Sequence, residues 1–283
     1  MRIEANVVEQ KKQKNCELQR ENKSIRLKKN RKRSKKSMAG VSISVVERLF
    51  LTCQEVFANC EAGTIPPPDD VERLRDILDT LKPADVGLSP DMPHFRTIET
   101  DGAPPITYLH IYESAKFSMG IFCLPPSGVI PLHNHPGMTV FSKILFGSMH
   151  IKSYDWGGLP ASASENACAS CDKPPGVRLA NVKVDSTFTA PCNTSILYPA
   201  DGGNMHCFKA LTACAVLDVL GPPYCDDEGR HCTYYCDFPY NTYPCCPEVA
   251  EDERKGYVWL EEKEKPDEFK VVGTMYKGPK FVK

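Results

Sequence analysis

The chain has no apolar run approaching the length needed to cross a bilayer, which excludes a membrane-spanning helix. Nor is a secretory signal expected, because Met1-Arg2-Ile3-Glu4 leads into charged residues instead of an apolar stretch. That absence governs the reading of the 14 cysteines. Without an oxidising compartment, reduced thiols are the default and a disulfide framework is not expected. A second C-x-x-C pair is also missing, so Cys168-Ala169-Ser170-Cys171 does not read as a zinc ribbon. A redox pair stays open; two exposed loop thiols is the simpler account. Histidine is scarce, 7 in 283 residues, so two of them side by side on one strand stand out.

What is present divides into two parts. Residues 1–40 hold 14 Lys and Arg against 4 Asp and Glu, leaving 21 against 32 of the chain's 35 and 36 for the remainder. Within this basic arm, Lys28-Lys29-Asn30-Arg31-Lys32-Arg33-Ser34-Lys35-Lys36 repels itself and offers too little apolar surface to fold. The expectation is a disordered arm at 1–40, serving as a nuclear-localisation patch, a solvated tail or a weak nucleic-acid contact. The rest, 41–283, is expected to be one domain: 41% apolar and 25% charged residues suffice for a sizeable core.

Val45, Val46, Leu49, Phe50, Cys53, Val56 and Phe57 recur at helical spacing, and so do Val71, Leu74, Ile77 and Leu78 after Pro66-Pro67-Pro68. Asp69 and Asp70 are expected to cap the second helix. Both stripes read as packing faces. From Ile106 the pattern changes to short apolar or alternating runs at 107–112, 117–124, 138–146, 149–156, 177–185, 195–198, 206–211 and 213–220, separated by turn signals such as Pro125-Pro126-Ser127-Gly128 and Gly202-Gly203. Many short strands without intervening helices predict a mainly β fold, closed as a barrel or sandwich, with the N-terminal helices packed on it. A polar insert at about 157–176 reads as a mobile surface loop. Cys123, Cys207 and Cys214 fall in apolar strands and read as small core residues.

The chemistry centres on Pro131-Leu132-His133-Asn134-His135-Pro136. Side chains two apart on a strand share a face, so both imidazoles can reach one metal ion. A third donor follows the turn Tyr198-Pro199-Ala200-Asp201-Gly202-Gly203-Asn204, at His206. His94, His110 and His150 belong to no such pair and read as structural.

The run G-x4-H-x-H followed by Gly147 and P-x2-G-G-x-x-H resembles the paired motifs of the cupin superfamily, which implies a single cupin-type β-barrel (double-stranded β-helix). Many cupins place a glutamate shortly after the second histidine; here Gly137-Met138-Thr139-Val140-Phe141 contains no acid. Three neutral imidazoles would leave a divalent ion its full charge and open positions, an arrangement suited to an anionic thiolate together with dioxygen. Leu132-His133-Asn134-His135-Pro136-Gly137-Met138, Gly147-Ser148-Met149-His150, the segment from Val216 to Tyr224 and Arg230-His231-Cys232-Thr233-Tyr234-Tyr235 resemble the plant cysteine oxidases, relatives of cysteamine dioxygenase.

From about Val45 onward, that resemblance implies an iron(II) enzyme, one iron per chain with O2 as co-substrate. It would oxidise the N-terminal cysteine of proteins to sulfinic acid and so feed hypoxia-response regulators, such as group VII ethylene response factors, into the N-degron route. It further implies that Asp218 orients or deprotonates the substrate amine and that Tyr224 lies at the active-site rim. Cys232, with Tyr234, would occupy the position of a thioether crosslink. A monomer in nucleus and cytoplasm, with no membrane or specific nucleic-acid partner, is expected. A small-thiol (cysteine or cysteamine) dioxygenase shares every ligand, and a non-enzymatic cupin regulator is the other alternative.

Overall fold

Ser44 accepts the backbone N–H of Glu47 at 3.1 Å and so caps helix α1 (Val45–Val56). In this computed structural model the described residues are 43–96, 103–158, 174–243 and 251–281. The basic arm, Cys168, Cys171 and most of the expected loop therefore lie outside them. Helix α2 (Pro68–Thr80) corrects one expectation. Its cap residue is Pro67 and no side chain caps it; Asp69 and Asp70 sit inside the first turn, where their negative charge interacts favourably with the positive end of the helix dipole. The expected stripes are buried except at Val45, which is half-buried: Val46, Leu49, Phe50, Cys53, Val56 and Phe57 from the first helical segment, and Val71, Leu74, Ile77 and Leu78 from the second.

Among the described residues twelve strands follow: β1 (Ile106–Glu113), β2 (Ser118–Leu124), β3 (Val129–Asn134), β4 (Thr139–Phe146), β5 (Ser148–Trp156), β6 (Val177–Thr189), β7 (Ser195–Leu197), β8 (Met205–Ala210), β9 (Cys214–Gly221), β10 (Tyr234–Pro239), β11 (Tyr257–Lys263) and β12 (Val271–Met275). One six-stranded sheet runs β12-β1-β2-β9-β4-β7. The other, β10-β11-β6-β5-β8-β3, closes on itself where Tyr234 of β10 pairs with His133 of β3. The result is a closed β-barrel backed by a second sheet, with helices on one outer face, the mainly β fold expected. β10, β11 and β12 go beyond the expected runs.

Strand β9 shows how the layers are joined, because every one of its residues is buried. Ala215, Leu217 and Val219 face the helices, in one core cluster with Leu49, Phe50 and Phe57. Cys214 and Val216 face the barrel interior with Ile130, Ile151 and Phe208. A fully buried Leu or Phe contributes roughly 1.5–3 kcal/mol, so the helical layer anchors this sheet strongly. Alternation then places Asp218 on the interior side. Cys123 and Cys214 are buried as expected, whereas Cys207 is only partly covered.

Candidate metal centre

β3 and β8 pair antiparallel with His133 directly opposite His206. His135 lies one residue beyond the end of β3, where Gly137 turns the chain at φ +66°, and its imidazole joins the other two. The ring centroids are 4.9 Å apart for His133–His135, 4.9 Å for His133–His206 and 4.8 Å for His135–His206. Nε2 of His135 lies 3.0 Å from Nε2 of His206, and one nitrogen from each ring falls within 4.8 Å of the others.

These rings are neutral. Burial pushes His133 down to about 4, and burial reinforced by the neighbouring imidazoles holds His135 well below the ordinary histidine value. His206 is lowered in the same way, by burial and by His133. Neutral imidazole is the form that ligates metal.

The tautomers follow from the surrounding groups. Nδ1–H of His133 donates to the Pro131 carbonyl at 2.8 Å. Tyr224 donates its hydroxyl proton to the Asn134 carbonyl at 2.7 Å, so its oxygen accepts from Nδ1–H of His135 at 3.0 Å. Both rings thus keep the Nε2 lone pair for a metal, the orientation that outer groups impose on ligating histidines. Three converging, neutral nitrogen donors without a carboxylate among them fit a divalent transition metal with open positions; imidazole alone suits iron, zinc, copper or nickel.

Two positioning residues escape sequence reading. Asn204 accepts the His135 N–H at 3.1 Å through Oδ1, while its Nδ2 donates to the carbonyls of His135 and Tyr198, each at 2.9 Å. Asp155, 5% exposed, accepts the N–H groups of Gly203 and Asn204 at 2.9 and 2.8 Å. Together they bind the turn that delivers His206 to the backbone of His135. Only the Gly202-Gly203 punctuation of that turn is visible in sequence.

Asp218, 4% exposed, accepts Ser142 Oγ at 2.6 Å, and burial pushes its carboxyl up to about 7 despite that hydrogen bond. It lines the same cavity, of about 40 Å³, as His133, His135, Tyr224 and Tyr234. Cys232 is partly buried, its thiol hydrogen-bonded with both Tyr224 and Tyr234. His94, His110 and His150 stay outside the cluster; His150 instead meets Asp185 at 2.7 Å.

The histidine cavity shares its walls with two further cavities. Through Phe122, Asp218, Leu220 and Tyr224 it adjoins a cavity of about 150 Å³. That one shares Glu113, Pro223 and Tyr224 with an outer cavity of about 280 Å³ edged by Asp226, Asp227 and Glu228.

A closed β-barrel holding three converging, buried, neutral histidines beside a row of cavities is built as a metal-binding barrel. The PCO_ADO family model matches residues 77–281. The chain is 57% identical over 261 residues to plant cysteine oxidase 2 of Arabidopsis thaliana, covering 92% of this chain and 90% of that protein. It is 58% identical over 247 residues to plant cysteine oxidase 1 of the same plant, covering 84% and 80%. Human 2-aminoethanethiol dioxygenase is more distant, 32% identical over 224 residues, covering 75% and 82%. The chain belongs to the PCO_ADO family and is a cysteine-oxidising dioxygenase.

Proposed function

We propose that the protein uses iron(II) and dioxygen to convert the N-terminal cysteine of target proteins to cysteine sulfinic acid, adding both oxygen atoms of one O2 to the sulfur. The carrying observation is a row of three neighbouring cavities with shared walls: the histidine cavity of about 40 Å³, one of about 150 Å³ and an outer one of about 280 Å³, which together offer room for a chain attached behind the reacting cysteine. A free small thiol would need only the innermost part.

His133, His135 and His206 would hold the iron, with Tyr224 and Pro131 fixing the first two rings. Bound iron(II) supplies an electrophilic centre that favours the thiolate and activates dioxygen, the substrate providing the electrons. Asp218 receives the α-amino group: a free N-terminus has a pKa of about 7.7–8.0, close enough to this carboxyl for a proton to pass either way. Tyr224 holds the rim, and Cys232 buttresses it through its hydrogen bonds to Tyr224 and Tyr234. The buried surroundings keep bulk water from the reacting sulfur.

Group VII ethylene response factors, exposing Cys after methionine removal, are the substrates this reading implies. The protein then acts as an oxygen sensor in the N-degron route, as a monomer in nucleus and cytoplasm, the basic arm serving import. The test is mass spectrometry of a Cys-initiated peptide incubated aerobically with the iron(II)-loaded protein, beside free cysteine and a His206→Ala control. The expected result is two oxygen atoms on the peptide alone, lost in the variant. Oxidation of free cysteine alone would replace this reading with a small-thiol dioxygenase, and no oxidation despite bound iron would overturn the enzymatic assignment to this substrate.

A further inference from the structure

The wall of the middle cavity is built around a contact that the metal site does not require. Gly120 lies within β2, opposite His110 of β1 on one side and Asp218 of β9 on the other. A glycine inside a strand lowers stability by roughly 0.5–1 kcal/mol relative to alanine and marks a close approach when its backbone is otherwise ordinary. What approaches here is Tyr108. A Cβ added at Gly120 would stand 2.5 Å from Tyr108 Cζ and closer still to its hydroxyl oxygen. The Tyr108 ring also packs on Phe122, centroids 4.9 Å apart, and the charges of Glu113 and Asp218 both act on its hydroxyl. The ring is therefore laid across the strand at Gly120, in the wall of the cavity that Asp218 and Glu113 also line.

Resting on the reading that the substrate is a protein with N-terminal cysteine, we propose that Tyr108, laid over Gly120, forms the wall of the subsite for the substrate's second residue and selects its size. With the thiol at the three histidines and the amine at Asp218, the first residue is fixed in the inner cavity. The next Cα lies about 3.8 Å further on, comparable to the roughly 4.8 Å from one strand to its neighbour, which is the step from Asp218 to Gly120. Small side chains fit the middle cavity of about 150 Å³ as it stands; a large one meets the Tyr108 ring. In Gly120→Ala the new methyl group drives that ring into the cavity.

The experiment uses the full iron(II)-loaded chain and two fluorescent Cys-initiated peptides, identical except for Gly or Trp at the second position. Binding is read by anisotropy without oxygen, and KM and kcat are then read after oxygen is admitted. Wild type is expected to favour the Gly peptide by roughly tenfold, and Tyr108→Ala to bring the ratio below about threefold. Gly120→Ala should raise KM for the Gly peptide more than it lowers kcat, and Tyr108→Ala combined with it should restore binding. A Gly-to-Trp ratio unmoved by Tyr108→Ala overturns the subsite, as does Gly120→Ala lowering kcat with KM unchanged. Should Gly120→Ala melt at low temperature, the Tyr108→Ala ratio decides alone. Wild-type protein that carries iron but binds and oxidises neither peptide overturns the functional reading itself; oxidation of both with an unmoved ratio overturns only the subsite.

Discussion

Replacing Asp218 with asparagine should stabilise the metal-free protein at neutral pH and leave it unchanged in acid. The folded carboxyl titrates at about 7 against an ordinary value of 3.8, because burial disfavours its charge more than the Ser142 hydrogen bond favours it. The native state therefore holds a proton that the unfolded chain has released throughout the window between those values. Stability from this group is complete below about pH 4, falls as pH rises through that window, and levels off above about 7. At roughly 1.4 kcal/mol per pH unit the ceiling is roughly 4 kcal/mol, and water entering the cavity would reduce it, so 2–4 kcal/mol is the working range. Asparagine keeps the shape, still accepts from Ser142 and has no proton to lose. Urea unfolding of both proteins with a chelator present, across about pH 4–8, should show curves that coincide at the acid end and diverge toward neutrality. Parallel curves would refute the argument. Iron loading should narrow the gap, since a cation sharing the cavity favours the carboxylate. Activity is expected to fall as stability rises, because the same carboxyl is the one proposed to receive the substrate amine.

His206→Ala should abolish stoichiometric iron binding, measured by metal analysis, while Arg48→Ala on the exposed side of α1 should not. Asn204→Ala leaves the N–H and C=O of His135 without their side-chain partner; the expected cost is roughly 2–4 kcal/mol in urea unfolding. Chelator competition should find iron affinity lower by roughly 10–100-fold in that variant, as for other outer groups that orient ligands. Phe57→Ala empties the space against Gly221, where an added Cβ would meet the Phe57 ring, and should cost roughly 3–5 kcal/mol in the same assay.

The features of this chain that could be read in advance share one property: they are local. Period two places His133 and His135 on one side of the chain, and Gly202-Gly203 announces the turn before His206. The stripe from Val46 to Phe57 needs no knowledge of its neighbour to be recognised as a buried face. The features that could not be read depend on distant partners. Asp155 resembles any strand-end acid until the turn around Gly203 folds onto it, 48 residues away. Asn204 gives no sign that it will pair with His135, 69 residues before it. β10 ends in proline, β11 turns charged halfway along, and β12 contains glycine, so their alternation is weak and pairing with β3, β6 and β1 specifies them instead. The expected cap at Asp69 failed for a related reason: Pro67 and Pro68 already supply the helical entry, and the acids need only lie near its positive end.

Strand β9 carries a consequence for how the enzyme can fail. Its two faces belong to different worlds, a greasy interface with the helices on one side and a carboxyl beside the histidines on the other. Sliding it by one residue against β2 or β4 would drive Asp218 into the packing of Phe57, Phe117 and Phe141 and turn Leu217 or Val219 toward the reacting thiol. No half-correct version of that arrangement exists with a lower cost. A slipped register thus loses the packing of the fold and the position of the carboxyl together.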